Sequence, residues 1–438
     1  SDKSATGEKQ VIVKDYKVKL IDPSKPGGTI KTGKELQTFS STKVADLISM
    51  GAGVVQTKAG SSDLNINGAR NSNTLYMIDG IMIRPGKNVN LPPSGIDQVE
   101  LLTNGLSAKY GNATGGIVAI TTKGAARQFG GSLLLQHSID GYNTNLASLD
   151  IAGPLFRKKK KDGSKVPVLG YSLNLGVTYD KDGDPAYYGY TRLKPDVMKR
   201  IEANPIVANP NGSGNFIQAA GQVTAQDFEH IKARENGDNL GFTYQGKLDF
   251  QPSDNVNVTL GTYAIYNKVN SFNFYNSLFA PGANNIREDL NLRGFLRLTQ
   301  RLGKSAGQEK QDGKKSAISN AYYTLQLTYQ KEYISIENPN HGQNIFDYGY
   351  VGKFQQHRSP IYSLGTSLDG REGITYRGQS LDSLTYTPAG LNPIMENYTK
   401  AIYADGRFPV TNLNDIQSYQ GLRNGDFPGS VLGLWAGT

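Results

Sequence analysis

From Phe129 onward, apolar and polar residues alternate one by one over long runs. "YSLNLGVTYD" (171–180) sets Tyr171, Leu173, Leu175, Val177 and Tyr179 on one face, with Ser172, Asn174, Gly176, Thr178 and Asp180 on the other. The same period returns in "LGFTYQGKLDF" (240–250), "VNVTLGTYAIY" (256–266), "LNLRGFLRL" (290–298) and "YTLQLTYQ" (323–330). A period of two is that of a β-strand, whose side chains point alternately to opposite faces. Seven strands are expected, at about 130–139, 144–153, 170–181, 239–250, 255–267, 287–301 and 320–336. A soluble sandwich would give the same local alternation. Length separates the two readings: these runs exceed the roughly 5–6 residues of a globular strand and approach the ~9–11 that cross a bilayer. Tyr or Phe often ends the apolar face, as an interfacial aromatic girdle requires. The runs therefore read as membrane-spanning staves.

Before Phe129 the pattern is shorter and mixed. A polar start, "SDKSATGEKQ", leads into the β-prone "VIVKDYKVKLID" (11–22) and a Pro/Gly linker, "PSKPGG". Residues 41–50 read as a short helix, with Ser41 or Thr42 as cap and Val44, Leu47 and Ile48 at i, i+3, i+4. Strand-like pieces follow at "GVVQT" (53–57), "DLNING" (63–68) and "TLYMIDGIMI" (74–83). This gives a compact α+β unit ahead of the long strands.

Composition narrows the function classes. The chain has 438 residues, no cysteine, four histidines, 51 glycines and 25 tyrosines. Disulfides and thiolate metal sites are thereby excluded, and the scattered histidines have no ligand-like spacing. No run of ~18 apolar residues forms a membrane helix, whereas alternating strands keep mean hydropathy low, here -0.46. The start of the sequence has no signal-peptide core, so an exported protein would have lost that segment. The net charge of +9 is modest, and the basic runs "RKKKKDGSK" (157–165) and "KSAGQEKQDGKK" (304–315) read as solvated turns, with no nucleic-acid partner expected. "DKDGD" (180–184) fails as a calcium loop, because Gly183 is at the fourth place and Thr191 stands where a bidentate Glu belongs. No nucleophile motif or HExxH appears, so neither an enzyme nor a bound cofactor is expected.

The two long segments 182–238 and 337–438 fall on one side of the strand array, and the shorter basic connections fall on the other. That asymmetry fits a barrel with long outer loops. Seven strands cannot close an even-numbered barrel, so the sequence is expected to be the front portion of a larger protein, its last 102 or so residues a long outer loop.

Five motifs in fixed order then carry a resemblance. "INGAR" (66–70), "YMIDG" (76–80), "IDQVELL" (96–102), "SAKYGNATGG" (107–116) and "IVAITTKG" (117–124) resemble the plug of TonB-dependent outer-membrane receptors. In that family they stand as a glycine-arginine strand, an Ile-Asp-Gly strand, a helix start, a Tyr-Gly corner and a closing strand. The style of the following strands is most similar to the large Oar-like receptors that carry a carboxypeptidase-regulatory domain. The resemblance implies an α+β plug domain followed by antiparallel transmembrane β-barrel strands, incomplete here at about seven of an expected ~22. It implies a tail at 1–22, a plug at 23–126 and the first part of the barrel at 127–438. Such a chain would lie in the outer membrane of a Gram-negative bacterium.

The resemblance also implies roles. Val11, Ile12 and Val13 would be the TonB box, an extended segment able to add as a strand to a periplasmic partner; an ordinary first plug strand is the alternative. Gly68, Asp79, Gly80, Glu100, Tyr110, Gly111, Gly115 and Gly116 would build the plug, with Gly105, Gly111, Gly115 and Gly116 allowing sharp reversals. Arg70, Asn71, Asn73, Arg84, Lys87 and Asn88 would form plug apices that hydrogen-bond a solute, unless Arg70 and Arg84 instead pair with wall carboxylates. The expected partners are TonB, outer-membrane lipid and a surface lipoprotein lid. The expected function is uptake of a bulky solute, or alternatively a receptor-like barrel for adhesion, envelope organisation or secretion.

Overall fold

The computed structural model describes residues 28–33, 35, 44–57, 64–83, 91–102, 115–159, 163, 165–211, 216–302 and 321–400. Two sheets organise it. The first contains β1 (Gly28–Thr32), β4 (Thr74–Ile78), β5 (Ile81–Ile83), β6 (Ile96–Leu102) and β7 (Gly116–Thr122), in the order β1-β6-β7-β4-β5. A short ribbon of β2 (Val54–Gln56) and β3 (Leu64–Ile66) lies beside it, with a helix at Val44–Ser49. Val44, Leu47 and Ile48, spaced for one helical face, are buried in the same core as Ile78, Ile96, Val99, Val118 and Ile120. The sheet's other face has its own smaller cluster of Leu75, Leu102 and Ile117.

The segment Ile96–Leu102 is a strand and not the start of a helix. It pairs with β1 on one side and β7 on the other, and six of its seven positions are buried. A strand covered on both faces shows an almost continuous apolar run, which hides the two-residue period.

The second sheet contains β8 (Gly130–His137), β9 (Asn145–Lys159), β10 (Lys165–Asp180), β15 (Asn239–Ser253), β16 (Val256–Asn270), β17 (Ile286–Leu302) and β18 (Ala321–Glu337). They run antiparallel in the order β18-β17-β16-β15-β10-β9-β8, the meander expected from the alternating runs. Burial on this sheet is inverted relative to a soluble protein. The register aligns Tyr171, Leu248, Leu260, Leu296 and Leu327 in one row across five strands. Leu260 in that row is 43% exposed, whereas Gln245 and Asn174 on the opposite face are 2% and 1% exposed. The polar face packs on the plug and the apolar face points away, an arrangement that suits lipid outside and protein inside.

Some strands run farther than expected. Arg157–Lys159 continues β9 and pairs with Lys165–Pro167 of β10, so both ends of the basic run belong to strands. The ladder shifts register between Pro167 and Leu169, next to a proline that has no N–H to donate.

The long connection after β10 is a folded insert. It contains β11 (Tyr190–Leu193), a helix at Pro195–Ala203, β12 (Ile206–Ala208), β13 (Phe216–Gln218) and β14 (Phe228–Ile231). β11 pairs with β14, β12 pairs with β13, and Leu193, Val197 and Ile201 form a small separate core. The tail also departs from expectation. β19 (Gly352–Thr366) and β20 (Glu372–Pro388) form an antiparallel hairpin followed by a helix at Pro393–Thr399, in place of one long loop. Register shifts at His357/Arg358 and Ile361/Tyr362 break the alternation that would have announced these strands.

Candidate functional site: the joint between plug and wall

The "IDG" motif begins as a backbone requirement. Asp79 and Gly80 link β4 to β5 with φ of 49° and 82°, and Ile78 pairs with Ile81 across them. Two consecutive positive φ values define the two-residue hairpin turn that favours Asp-Gly and Asn-Gly. Asn67 and Gly68 in "INGAR" repeat the device, with φ of 52° and 79°.

The Asp79 turn does more than reverse the chain. Its carboxylate accepts from the Thr122 N–H at 3.1 Å, the Thr122 hydroxyl at 2.5 Å and the Lys247 ammonium at 2.9 Å. Lys247 stands on the inward face of β15 and also donates to the Thr122 carbonyl at 2.9 Å. Both side chains of the ion pair are nearly enclosed, at 3% and 7% exposure. Arg297 on β17 donates to the Asp79 carbonyl and, at 2.8 Å, to the Gln326 side chain. One turn of the plug thus holds two cations of the wall. Tyr263 and Phe295, stacked at 6.3 Å, extend the plug's apolar core onto β16 and β17.

Two further contacts fix the chain as it leaves the plug for β8. Lys123 pairs with Asp150 of β9 at 2.7 Å. The Ala125 N–H donates to Asp249 at 3.0 Å, and Thr259 donates to the other oxygen of that carboxylate at 2.6 Å. Higher on the wall lies an uncharged joint. The Ser94 and Ser148 hydroxyls meet at 2.6 Å, Asn174 donates to Ser94 at 3.1 Å, and Gln245 donates to the Gly95 carbonyl at 3.3 Å. A polar cleft of about 1390 Å³ opens beside the charged joint, at the end of the wall away from the insert; Asp79, Lys123, Lys247, Asp249, Arg297 and Arg301 are among its lining residues.

Of the residues expected from sequence to matter, Asp79 and Gly80 are at this joint. Gly80 faces Arg297 so closely that an added Cβ would lie 3.2 Å from its guanidinium. Gly68 serves the other hairpin turn, and Glu100 is buried within β6. Gly116 lies in β7 and Gly115 at the bend just before it; Cβ atoms at these positions would meet Ile66 at 2.7 Å and Ala69 at 2.6 Å, so both glycines allow close approach of "INGAR" to β7. Arg70, Asn71 and Asn73 belong to one turn before β4, where Asn73 N–H donates to the Arg70 carbonyl at 2.8 Å. Arg70 and Asn73 are exposed there, and Arg70 forms no ion pair with a wall carboxylate among the described residues. That turn lies at the opposite end of β4 from Asp79 and is not part of the joint. Val11, Ile12, Val13, Arg84, Lys87, Asn88, Gly105, Tyr110 and Gly111 lie outside the described residues.

The residues that sequence reasoning missed are the wall's share: Lys247, Arg297, Asp150, Asp249, Ser148, Asn174 and Gln245. Their signal is present in "YQGKLDF" and "LRGFLRL", where charged side chains occupy the non-lipid face of a spanning strand. Such groups are costly there unless paired.

Among the described residues, no group of His, Cys, Asp and Glu is placed to hold a metal. The sequence matches the family model of the TonB-dependent receptor plug domain over residues 27–117. No curated protein matches it. Among solved structures, the siderophore receptor PirA from Acinetobacter baumannii is 16% identical, with 78% of this chain and 46% of that one covered at a TM-score of 0.40. The ferripyoverdine receptor of the outer membrane of Pseudomonas aeruginosa, bound to ferripyoverdine, is 12% identical, with 80% and 37% covered and a TM-score of 0.41. The chain spans less than half the length of either receptor. Residues 27–117 thus match the TonB-dependent receptor plug domain, and the described part of that segment is seated on the polar face of the seven-stranded antiparallel sheet.

Proposed function

We propose that this chain is the front part of a TonB-dependent outer-membrane transporter. It would bind a bulky solute at the extracellular face and pass it to the periplasm when the plug is displaced. The observation that carries this reading is the inverted burial: a folded plug covers the polar face of strands whose apolar face is exposed. Barrels large enough to need such a stopper leave a lumen that would otherwise leak. The plug is held at the charged joint by contacts that exchange readily for water once a pull separates them.

Val11–Val13 would supply the handle, an extended triplet that adds as a strand to periplasmic TonB, with the inner-membrane proton gradient as the energy source. No covalent chemistry is assigned to the chain. A surface lipoprotein lid over the extracellular face belongs to the same proposal, as does kinship with the Oar-like subgroup. The plug turn carrying Arg70, Asn71 and Asn73, with Arg84, Lys87 and Asn88, is proposed as the solute-facing surface. Deletion of Val11–Val13 in the full-length receptor should abolish uptake and leave solute binding to cells intact. Uptake at the normal rate would overturn the mechanism. A second reading, a surface-contact barrel in adhesion, envelope organisation or secretion, is favoured by the separately cored insert between β10 and β15; TonB-independent phenotypes of a deletion strain would support it.

A further inference from the structure

Three arginines stand at four-residue intervals on the inward face of β17: Arg293, Arg297 and Arg301. Four residues of strand is about 14 Å, so the series runs from mid-wall to the end away from the insert. Arg293 is 5% exposed, and its Nε and Nη1 have no hydrogen-bond partner. Arg297 is held by two neutral oxygens, the Asp79 carbonyl and Gln326. Arg301 lines the polar cleft with Arg297, Thr299 and Thr324. On the adjacent strand but one, Lys247 completes the series, neutralised by Asp79.

The carboxylates facing this region are held differently from the cations. Asp150 is bound by Lys123 and Asp249 by the Ala125 N–H, both within the short connection that ends at Gly130 of β8. Those partners are tethered to the wall by the chain itself. Glu332 on β18 sits opposite Asn291, one inward position from Arg293. Asp79 and Asp97 of β6, which also lines the cleft, are the exceptions: both lie on the plug, and Asp79 is on a hairpin more than 40 residues upstream of that tether. Withdrawing the β4–β5 turn would remove one carboxylate and one carbonyl from the wall, and would leave Asp150 and Asp249 covered. Lys247 and Arg297 would be uncovered together, in line with Arg293 and Arg301.

From this asymmetry we propose that the opened path is a cationic track, and that the transported solute carries carboxylate or phosphate groups. Guanidinium groups match such oxyanions with paired N–H donors. The closed joint conceals that charge, so the same movement that opens the path also makes it selective for anions. The inference takes its opened state from the transport reading.

None of these 438 residues is cysteine, so a single introduced thiol gives a direct test once any cysteine elsewhere in the full-length receptor is replaced by serine. Thr299→Cys in the full-length receptor places a thiol in the cleft between Arg297 and Arg301. Its reaction rates with a sulfonate-bearing and a trimethylammonium-bearing methanethiosulfonate report the local potential. In purified receptor the anionic reagent should react about 10-fold faster. Adding Arg293→Gln and Arg297→Gln should bring the ratio toward one, and adding Asp79→Asn should raise it. In cells, the ratio should be higher with TonB energised than without it. Parity in the Thr299→Cys receptor, a preference for the cationic reagent, or indifference to the arginine substitutions would overturn the proposal. The purified-receptor arms need no TonB, so their failure is distinct from failure of the transport reading. A ratio that ignores energisation, in cells where Val11–Val13 deletion does stop uptake, would overturn the coupling of charge to opening while transport itself stands.

Discussion

The plug meets the wall at two joints of different chemistry. At the lower joint a buried ion pair, Asp79 with Lys247, is braced by Thr122 and Arg297. At the upper joint Ser94, Ser148, Asn174 and Gln245 exchange only neutral hydrogen bonds, with Gly95 fitted against Asn174. Under the proposed transport reading, the difference would let a stopper be both secure and removable. Charged partners in an enclosed seam gain strongly from each other only while water is kept out, and both are readily solvated once it enters. The neutral joint depends on fit, which is lost gradually. In the proposed displacement the charged joint would suit all-or-none release, and the neutral one would set where the plug returns.

The largest effect should come from breaking the charged joint on one side. Asp79→Ala leaves Lys247 enclosed without its partner and should cost about 3–5 kcal/mol of plug docking. Thermal unfolding of the full receptor in detergent, with proteolysis to report plug exposure, would measure it. Asp79→Ala combined with Lys247→Met should recover much of the loss, since removing both charges leaves none stranded. Additive losses in the double variant would show that the two residues act separately and that the comparison is wrong.

The neutral joint should break more gently and for a steric reason. A Cβ at Gly95 would lie 2.8 Å from Asn174, whose side chain is itself buried and cannot swing aside. Gly95→Ala should cost about 1–3 kcal/mol, the usual range for overpacking. Its loss should be insensitive to salt, whereas proteolysis of the Asp79→Ala plug should respond to it. Equal salt responses at the two joints would remove the distinction.

The sequence disclosed the elements of both joints but not their pairing. Alternation gave the seven wall strands within a few residues, because a lipid-facing side must stay apolar along its whole length. Asp79-Gly80 was legible as a motif, and its turn geometry follows from residue type alone. That Asp79 would meet Lys247 was not legible: the two are separated by 168 positions, and only sheet register and plug placement bring them together. The strand Ile96–Leu102 is hidden in the sequence because burial on both faces erases its period, and β19–β20 because two register shifts break theirs. Gly115 and Gly116 show a further limit. A glycine needed for close packing looks in sequence the same as one needed for a turn.

The insert between β10 and β15 offers the smallest and most local effect, and a control for both joints. Its Thr224 N–H and hydroxyl donate to the Asp227 carboxylate at 2.7 Å and 3.0 Å, capping a short helical turn before β14. Those bonds hold the Asp227 carboxyl below its ordinary range, the backbone N–H contributing most and Arg200 adding to it. A carboxylate whose folded pKa is depressed stabilises above its unfolded pKa, and that stabilisation is lost as pH falls through the folded value. Protection of the Thr224 amide, measured against its intrinsic exchange rate at each pH, should therefore hold at neutral pH and fall only under strongly acidic conditions. In Asp227→Asn the acid step should vanish and exchange should be faster throughout. The insert has its own core of Leu193, Val197 and Ile201, so neither Asp79→Ala nor Gly95→Ala should alter this profile. A change in Thr224 exchange on breaking either joint would mean that the insert senses the plug, and the two joints would then have to be treated as parts of one system extending to the outer surface.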